Sequence, residues 1–486
     1  MNFSQIKDLA LKVVADKCRR DFFFFVQTFW NVIIKEPPVY NWHIPYLCEE
    51  LQKLSMPIFR REKKPYDLLI NIPPGTTKST IVTIMWPVWL WTNDATLRII
   101  TNSYSGVLSI DHATKSKDII QSDKFIRLFP EIRIRKDKSG KQNYENTQTG
   151  YRYATSTGAT ITGFHGHVII NDDPQNPKQA YSEPLRIQAN EHTKTLSSRK
   201  VNKANTPVVT IMQRLHEDDV TGYLLNKKND NIRHICLPAE DCEDVSPPEL
   251  RKKYVDGFLD PVRLNRSVLD EALVDLGSQS YSGQYMQSPS AIGGNIIKEE
   301  WFGYISKENF ERKRNNRLHI HFFIDTAYTD KTSNDPTGII GTCTIGNNLY
   351  ITCAEKVNMK FPDLIRHVSV FVKANGYTDE STVRIEPKAN GLSVIDQLRE
   401  STNLNVVATP SPKEGKEVRL HAISPFVEGR HLYLVEGYWN ESFIDEVCGF
   451  PARHHDEYVD LICYAVDYYH RNQLNVSDEE LESDFY

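Results

Sequence analysis

The chain has 486 residues, a length that suits two domains better than a single compact core. Hydrophobic residues make up 40% and charged residues 25%, ordinary values for a globular protein. The net charge of −5 argues against a protein that is basic over its whole surface, but a local stripe of Lys and Arg remains compatible with DNA binding. No apolar run is long enough to span a membrane and no secretory signal is recognisable, so we expect a cytoplasmic protein with no membrane partner.

The cysteines do not indicate a metal or disulfide framework. There are eight, and none forms a C-x-x-C pair. We therefore expect most of them to be small buried apolar residues.

Four short β-branched runs in the front half predict buried strands: DLLINIPP, TLRIITNS, HVIINDDP and TPVVTIMQ. Amphipathic stretches such as SGVLSIDHATKSKDIIQS separate them and predict helices. Continuous apolar strands alternating with helices favour a parallel sheet covered on both faces. Ligands of such sheets bind beyond the carboxyl ends of the strands, so we expect the functional side chains there.

The segment NIPPGTTKST follows the first of these runs and precedes a helix. A phosphate loop needs backbone N–H groups that close on oxyanions, a lysine for the β- and γ-phosphates and a hydroxyl for Mg²⁺. Lys78 and Ser79 occupy the last two positions, and Gly75 with the helix start supplies the first. Thr77 replaces the second glycine of the usual pattern, so by itself the segment is also compatible with a plain surface turn.

Two further strand ends strengthen the nucleotide interpretation. Asp172 and Asp173 follow an apolar strand, where one carboxylate of a P-loop ATPase holds Mg²⁺ and its neighbour polarises the attacking water. A helix cap or Asx-turn explains one of these aspartates but two less well. Gln213 ends the fourth strand and is a candidate sensor of the γ-phosphate; the alternative is that it satisfies a loop carbonyl.

A second sheet is predicted after Gly293 and Gly294, which mark the boundary between a linker-rich segment, 241–295, and the rear half. The runs LHIHFFIDTAYTD, GIIGTCTIG and LYITCAEKV predict three strands with an antiparallel start. We divide the chain into residues 1–295 and 296–474, with an acidic tail, 475–486, predicted to be disordered.

Carboxylates recur at three places in the rear half. Asp325 lies in an apolar strand, where a lone carboxylate needs a metal or another cation beside it. Glu386 ends another strand, with pairing to Lys388 or Arg384 as the alternative. Asp456 and Asp460 lie one turn apart at the start of an amphipathic helix; Asp456 capping the helix and Asp460 facing water are the alternatives. Together the three places favour a two-metal phosphodiesterase site.

With these residues assembled, the chain resembles the large terminase subunits of tailed bacteriophages over most of residues 40–470. PPGTTKS is similar to the family's deviant Walker A loop, HVIINDDP to its Walker B strand and VTIMQRLHEDDVTGYLL to its coupling segment. SGQYMQSPSAIGGNIIKEEWF is similar to the junction between the family's domains, and SPKEGKEVRLHAISPFVEGRHLYL with FIDEVCGFPARHHDEYVDLICYA to its nuclease segments.

The resemblance implies an α/β protein with an ASCE-type P-loop ATPase domain, whose sheet is parallel-rich, followed by a ribonuclease H-like nuclease domain with a mixed sheet. The residues implied to bind ATP with one Mg²⁺ are Gly75, Thr76, Thr77, Lys78, Ser79, Thr80, Asp172 and Gln213, of which Ser79 and Asp172 hold the metal. Asp173 is the implied catalytic carboxylate. Asp325, Glu386 and Asp456 are implied to be catalytic ligands of two Mg²⁺ or Mn²⁺ ions, with Asp460 as a further metal ligand. The family often has two adjacent Asp residues at the third position, and here the second is Glu457, so the third ligand is left open between Asp456, Glu457 and Asp460.

The resemblance also implies what the protein does. The family cuts concatemeric viral DNA and pumps double-stranded DNA into a procapsid. The implied partners are DNA, the portal protein, the small terminase subunit and further copies of the chain in a pentameric ring. The implied location is the host cytoplasm, with transient docking at the portal vertex.

Two other functions are compatible with parts of the pattern. A P-loop helicase or repair translocase with an accessory nuclease would separate strands and would not need a portal. A catalytically dead scaffold would explain the imperfect phosphate loop and would not turn over ATP. Neither explains the segments of the rear half.

Overall fold

A computed structural model describes residues 3–227, 231–289, 296–314, 318–326, 336–388, 391–452 and 455–483. The chain forms two compact units, Met1–Ala291 and Ile292–Tyr486. The boundary predicted after residue 295 adjoins residues 290–295, which lie outside the described residues.

Unit 1 is built on an eight-stranded sheet with the strand order β3-β4-β5-β2-β6-β7-β1-β8. The six strands from β5 to β8 in this order run parallel, and β3 and β4 extend the sheet as an antiparallel edge. The strands are β1 (Asp67–Asn71), β2 (Ile99–Ser103), β3 (Ile134–Ser139), β4 (Asn143–Asn146), β5 (Tyr151–Ser156), β6 (Val168–Asp172), β7 (Val208–Met212) and β8 (Ile232–Cys236).

Helices surround this sheet, and a π-helical turn, Thr80–Met85, follows the loop after β1. A 3₁₀ turn spans Pro248–Lys253. The α-helices are α1 (Phe3–Arg20), α2 (Phe22–Ile33), α3 (His43–Phe59), α4 (Trp86–Asn93), α5 (Gly106–Gln121), α6 (Asp123–Leu128), α7 (Pro177–Tyr181), α8 (Glu183–Ser197), α9 (Val220–Asn226) and α10 (Arg266–Gln284).

The central strands of unit 1 confirm the predicted parallel sheet. Every residue of β2, β6 and β7 is buried, as strands covered on both faces require. Because β1, β6 and β7 are parallel neighbours, their carboxyl ends meet at one edge of the sheet. The four runs that the sequence indicates as strands become β1, β2, β6 and β7.

Unit 2 is built on a seven-stranded mixed sheet with the strand order β14-β13-β10-β11-β12-β15-β9. The three consecutive strands β10, β11 and β12 pair antiparallel, as the sequence predicts. All the other pairs are parallel. The strands are β9 (Gly303–Ile305), β10 (His321–Asp325), β11 (Thr337–Ile345), β12 (Asn348–Val357), β13 (Val383–Ile385), β14 (Val406–Ala408) and β15 (Leu432–Val435).

The helices of unit 2 begin with a 3₁₀ turn, Glu299–Trp301. The α-helices are α11 (Lys307–Lys313), α12 (Phe361–Ala374), α13 (Gly391–Ser401), α14 (Lys416–Glu428), α15 (Asn440–Gly449) and α16 (Glu457–Ser483). The tail predicted to be disordered, 475–486, falls partly on α16; its side chains lie outside the described residues, and its disorder stays a prediction.

The cysteines behave as the sequence predicts. All eight are free thiols, and Cys242 alone is not buried. Among the described residues, no helix has the length and apolar character that crossing a membrane requires.

Candidate functional site

The loop after β1 has the backbone shape of a phosphate loop. Gly75 and Thr77 both lie in the left-handed region, with φ of 76° and 68°. Alternation of right- and left-handed residues turns successive N–H groups toward one point, which makes a concave anion site. Thr77 therefore adopts the conformation that glycine favours, at a cost of about 1–2 kcal/mol for a residue with a Cβ. The departure from the glycine pattern is thus one of residue type and leaves the backbone shape intact.

The back of the loop is fixed by hydrogen bonds to buried groups. The Thr76 hydroxyl donates to the Pro73 carbonyl at 2.8 Å, and Nε2 of His43 lies 3.1 Å from the Thr76 carbonyl. Burial lowers the pKa of His43 to about 4, so the ring is neutral. Since Nδ1 faces the Asn41 side-chain amide at 3.1 Å, Nε2 carries the proton and donates to the loop. Sequence reasoning missed this role of His43, which begins α3.

The charged residues of the loop meet the two aspartates that follow β6. Nζ of Lys78 lies 3.2 Å from Oδ2 of Asp173, and the Ser79 hydroxyl donates to Oδ1 of Asp172 at 3.0 Å. Burial raises the pKa of both aspartates, and the Lys78 ammonium offsets part of that rise. The structure therefore places these four predicted residues in one cluster at the carboxyl edge of the sheet.

Gln213 joins this cluster through its backbone. Burial is the largest influence on the pKa of Asp173, and a hydrogen bond from the Gln213 N–H to the carboxylate works in the opposite direction. The side-chain Oε1 of Gln213 is buried and has no hydrogen-bond partner among the described residues. The alternative that Gln213 satisfies a loop carbonyl concerns its side-chain N–H groups and stays a prediction. Thr80 opens the π-helical turn directly behind Ser79.

Residues that sequence reasoning did not single out lie behind Asp172. Nδ1 of His112, on α5, is 3.4 Å from Oδ2 of Asp172. Arg152, on β5, is fully buried and donates to the Thr83 carbonyl at 2.8 Å and to the Ser116 hydroxyl. The single charged residue of this strand, YRYATS, was the signal that could have identified Arg152.

Two lysines of α5, Lys115 and Lys117, have partners away from the nucleotide cluster. Lys117 donates to the Ser139 carbonyl at 2.8 Å, and Lys115 pairs with Asp111 at 2.6 Å on the helix surface. The pairing of Lys115 fits a solvated helix face, whereas Lys117 is half-buried and joins α5 to the end of β3.

At the other edge of the sheet of unit 1, where β1 begins, lysines line a pocket of about 310 Å³. Asp67 is the one acidic residue of its lining; it pairs with Lys64 and, at 3.5 Å, with Lys200. Lys63 and Lys203 complete the basic lining and are exposed. The surroundings of this pocket are therefore net positive in a chain that is net negative.

In unit 2, two of the predicted carboxylates lie side by side. β10 and β13 are parallel neighbours with Ile324 opposite Ile385, and Asp325 and Glu386 are the next residues of each strand. Asp460, from α16, lines the same pocket, which has a volume of about 360 Å³. Asp460 is buried, so the alternative that it faces water is wrong.

Cations balance these carboxylates. Nζ of Lys416 lies 2.5 Å from Oδ1 of Asp456 and 2.6 Å from Oδ2 of Asp460. Arg419 also pairs with Asp460. Both cations belong to α14, so one helix supplies the positive charge to this side of the pocket. Asp456 thus lies beside the pocket through its contact with Lys416.

Glu386 is held by two groups. Nζ of Lys388 lies 2.8 Å from Oε1, and the Tyr464 hydroxyl donates to Oε2 at 2.6 Å. The alternative of pairing with Lys388 is therefore observed, while Arg384 lies over the Tyr468 ring at 3.9 Å. Burial acts to raise the pKa of Glu386, but the bonds from Lys388 and Tyr464 outweigh it and lower the pKa.

Asp325 has the most perturbed carboxyl of this pocket. Burial raises its pKa to about 7, and the neighbouring charges of Asp460 and Glu386 add to the rise. Lys416 acts in the opposite direction. Among the described residues, no three His, Cys, Asp or Glu side chains are spaced to hold a metal ion in the recorded arrangement. The site is a cluster of hard oxygen donors in which an ammonium lies between two carboxylates.

Part of unit 2 matches a family model. Residues 354–468 match the model of the terminase RNaseH-like domain. The matched segment contains Glu386, Lys416, Asp456 and Asp460, whereas Asp325 precedes it. No curated protein shows a significant match to the chain.

Solved structures of large terminases resemble the chain at low identity. A large terminase from a thermophilic bacteriophage, in complex with ADP, is 10% identical, with 80% of this chain and 88% of that chain covered and a TM-score of 0.42. The bacteriophage HK97 large terminase is 9% identical, with 87% and 91% covered and a TM-score of 0.36. The large terminase nuclease of the thermophilic phage G20c with bound cobalt is 12% identical, with 36% and 96% covered and a TM-score of 0.27.

The matched segment contains part of the mixed sheet of unit 2 and three of the four predicted carboxylates, Glu386, Asp456 and Asp460. The match also agrees with the α/β fold class expected from the sequence, a parallel-rich sheet followed by a mixed one. The resemblance that the sequence motifs carry is thereby confirmed where the match applies: the rear half of the chain contains a terminase RNaseH-like domain.

Proposed function

We propose that this chain is a viral large terminase subunit that uses ATP to move double-stranded DNA into a procapsid and cuts concatemeric DNA at the start and end of packaging. The observation that carries the proposal is the presence of two candidate sites in one chain, one suited to a nucleotide and the other to divalent cations. One is the cluster of Lys78, Ser79, Asp172 and Asp173, and the other is the acidic pocket of the terminase RNaseH-like domain.

In the proposed ATPase, Lys78 binds the β- and γ-phosphates and Asp173 orients the attacking water. The 3.2 Å contact between Lys78 and Asp173 has a direct consequence. Phosphate oxygens compete for the same ammonium, so nucleotide binding releases the Asp173 carboxylate for its catalytic role. The Gln213 N–H donates to Asp173, so a movement of the released carboxylate also moves Gln213.

Ser79 and Asp172 would hold the Mg²⁺ that accompanies ATP. The chemistry fits, because a hydroxyl and a carboxylate are hard oxygen donors and the Ser79 hydroxyl lies 3.0 Å from Oδ1 of Asp172, close enough for both to reach one ion. The loop residues Gly75, Thr76, Thr77 and Thr80 complete the proposed phosphate cradle.

In the proposed nuclease, Asp325, Glu386 and Asp456, with Asp460, hold two Mg²⁺ or Mn²⁺ ions. The raised pKa of Asp325 indicates that several negative charges lie close together. Lys416 lies between Asp456 and Asp460 and supplies positive charge to these carboxylates. Bound divalent cations would stabilise the attacking and leaving oxygens of the phosphodiester. Lys388 and Tyr464 orient Glu386, and Arg419 orients Asp460.

DNA contacts of a packaging motor are expected mainly with phosphates, since every sequence must pass. The lysine-lined pocket at the start of β1 supports such contacts in unit 1, and exposed Lys63 and Lys203 are its free cations among the described residues. Arg61, by contrast, pairs with Asp94 at 2.7 Å. The proposed partners beyond DNA are the portal protein, the small terminase subunit and further copies in a pentameric ring, at the portal vertex in the host cytoplasm.

The proposal is tested by incubating the purified chain with plasmid and Mn²⁺, with and without ATP, and scoring DNA products and phosphate release together. The expected result is ATP turnover and metal-dependent cutting from one preparation. A protein without ATP turnover would support the scaffold alternative, and unwinding of a forked duplex would support the helicase alternative. Either result would contradict the proposal.

A further inference from the structure

His112 points at the back of the nucleotide cluster from a separate helix. Its Nδ1 lies 3.4 Å from Oδ2 of Asp172, while the Ser79 hydroxyl holds Oδ1 of the same carboxylate at 3.0 Å. The two oxygens of Asp172 are therefore approached by residues of two different elements, the phosphate loop and α5.

Both atoms of the His112 contact are buried polar groups without a hydrogen bond of good geometry among the described residues. Nδ1 of His112 and Oδ2 of Asp172 are inaccessible to solvent, and so is the Thr83 hydroxyl, a second donor beside Asp172 that lowers the pKa of this carboxyl. The side chains of His112 and Asp172 are 8% and 1% exposed. Buried polar atoms without partners are rare and costly, and here the two lie close enough that a small ring rotation joins them.

The Asp172 carboxylate needs a donor from the ring that faces it at 3.4 Å. A neutral imidazole has one N–H, and a carboxylate can only accept. A proton on Nδ1 satisfies both buried atoms, whereas a proton on Nε2 alone would leave two lone pairs facing each other.

We propose that His112 is a positioning residue that donates from Nδ1 to Asp172 and fixes this carboxylate in the orientation that receives the nucleotide-bound cation. The inference rests on the proposed ATPase function and adds a residue to it. Residues that hold a metal-binding carboxylate from behind commonly change metal affinity by about 10- to 100-fold when they are lost.

Arg152 and Thr83 also contribute to the surroundings of Asp172. Arg152 donates to the Thr83 carbonyl from β5, which holds the π-helical turn against the sheet. That turn follows Ser79 directly, so the same contact fixes the position of the phosphate loop relative to Asp172. His112 contributes a ring nitrogen from α5, which is an element outside both the phosphate loop and the sheet.

The test measures how much Mg²⁺ increases the affinity for a fluorescent ATP analogue, which needs no turnover. The variants are His112→Phe, which keeps the buried ring but removes the donor, and His112→Asn, whose amide nitrogen can take the position of Nδ1. His192→Phe is the matched control, because His192 is an equally buried histidine of unit 1 whose Nε2 contacts Asn102 at 3.0 Å.

We expect His112→Phe to reduce the Mg²⁺-dependent gain in affinity about tenfold, with Mg²⁺-free affinity unchanged. His112→Asn and His192→Phe should keep the gain. In an Asp172→Asn background, His112→Phe should have no further effect, since coupled residues are not additive. If His112→Phe does not fold, His112→Gln, whose amide nitrogen matches Nε2, should show the same loss.

The inference is overturned if the gain survives in His112→Phe or falls equally in His112→Asn. Those results leave the proposed ATPase intact, provided that the unsubstituted chain binds nucleotide with a clear Mg²⁺ gain. An unsubstituted chain that binds no nucleotide would remove both the proposed function and this role of His112.

Discussion

The backbone N–H of Arg214 donates to Oε1 of Gln287 at 3.0 Å, which ties the end of β7 to the segment after α10. Gln213, the residue before Arg214, contacts the Asp173 carboxylate through its own N–H. Gln287 is buried and adopts a φ of 57°. In the proposed ATPase, a movement of Gln213 on nucleotide binding would reach this segment through two adjacent backbone amides.

Replacing Gln287 with Ala should lower the free energy of unfolding of unit 1 by about 1–3 kcal/mol, because the Arg214 N–H loses its acceptor and finds no solvent. Thermal unfolding followed by circular dichroism measures the change. Gln121→Ala, at the exposed end of α5, is the control and should leave the transition in place. Equal transition temperatures for the two variants would show that the Gln287 contact contributes nothing.

Substitutions at the two left-handed residues of the phosphate loop should have opposite effects. Thr77→Gly removes the strain of a Cβ at φ 68°, and we expect a stability equal to or up to about 1 kcal/mol above that of the parent. Gly75→Ala introduces that strain at φ 76°, although no atom lies within 4 Å of the added Cβ, and should destabilise by about 1–2 kcal/mol. Denaturant titration would refute the assignment if both changes destabilised the protein equally.

The raised pKa of Asp325 predicts a pH dependence of stability in the absence of divalent cations. The carboxyl has a pKa of about 7 in the folded chain and an ordinary pKa of 3.8, so the folded state binds more protons between these values. Stability attributable to Asp325 therefore falls as pH rises from about 4 to about 7. Asp325→Asn should remove this dependence.

Melting temperatures of the parent and of Asp325→Asn are recorded with EDTA across this pH range. The effect is measured as the melting temperature of Asp325→Asn minus that of the parent. The difference should grow as pH rises and should shrink when Mn²⁺ is added, because a bound cation favours the charged form. Parallel curves in EDTA would contradict the crowded negative field around Asp325.

The lysine-lined pocket predicts a change in the salt dependence of DNA binding. Lys63→Ala combined with Lys203→Ala should reduce the slope of log affinity against log salt by about 2, the value for two lost phosphate contacts. Lys12→Ala with Lys35→Ala makes the same change in net charge at exposed positions elsewhere in unit 1. If both pairs lower the slope equally, the pocket has no special role in DNA binding.

The sequence predicted the parts of the sites that lie at strand ends. Strand periodicity locates the carboxyl end of β6, so Asp172 and Asp173 could be placed beside Lys78 without a structure. The same logic placed Asp325 in one strand and Glu386 at the end of another. Their meeting in unit 2 depends on β10 and β13 being parallel neighbours, which the tertiary structure sets; before it, only the resemblance brought the two carboxylates to one site.

Residues that act from other elements were not predictable in this way. His112 lies in an amphipathic helix, where the pattern does not distinguish a buried histidine that packs from one that faces a carboxylate. Lys416 and Arg419 reach Asp460 across about forty residues of sequence, a contact that only the tertiary structure sets. The three-residue strands β9 and β14 are too short for periodicity to indicate them.

The variants Lys78→Ala and Asp325→Ala test directly whether one chain contains two independent active sites. Measured on the same preparations, ATP hydrolysis and Mn²⁺-dependent plasmid cutting should separate. Lys78→Ala should abolish hydrolysis and keep cutting, and Asp325→Ala should keep hydrolysis and abolish cutting. Loss of both activities in either folded variant would contradict the assignment of two separate sites.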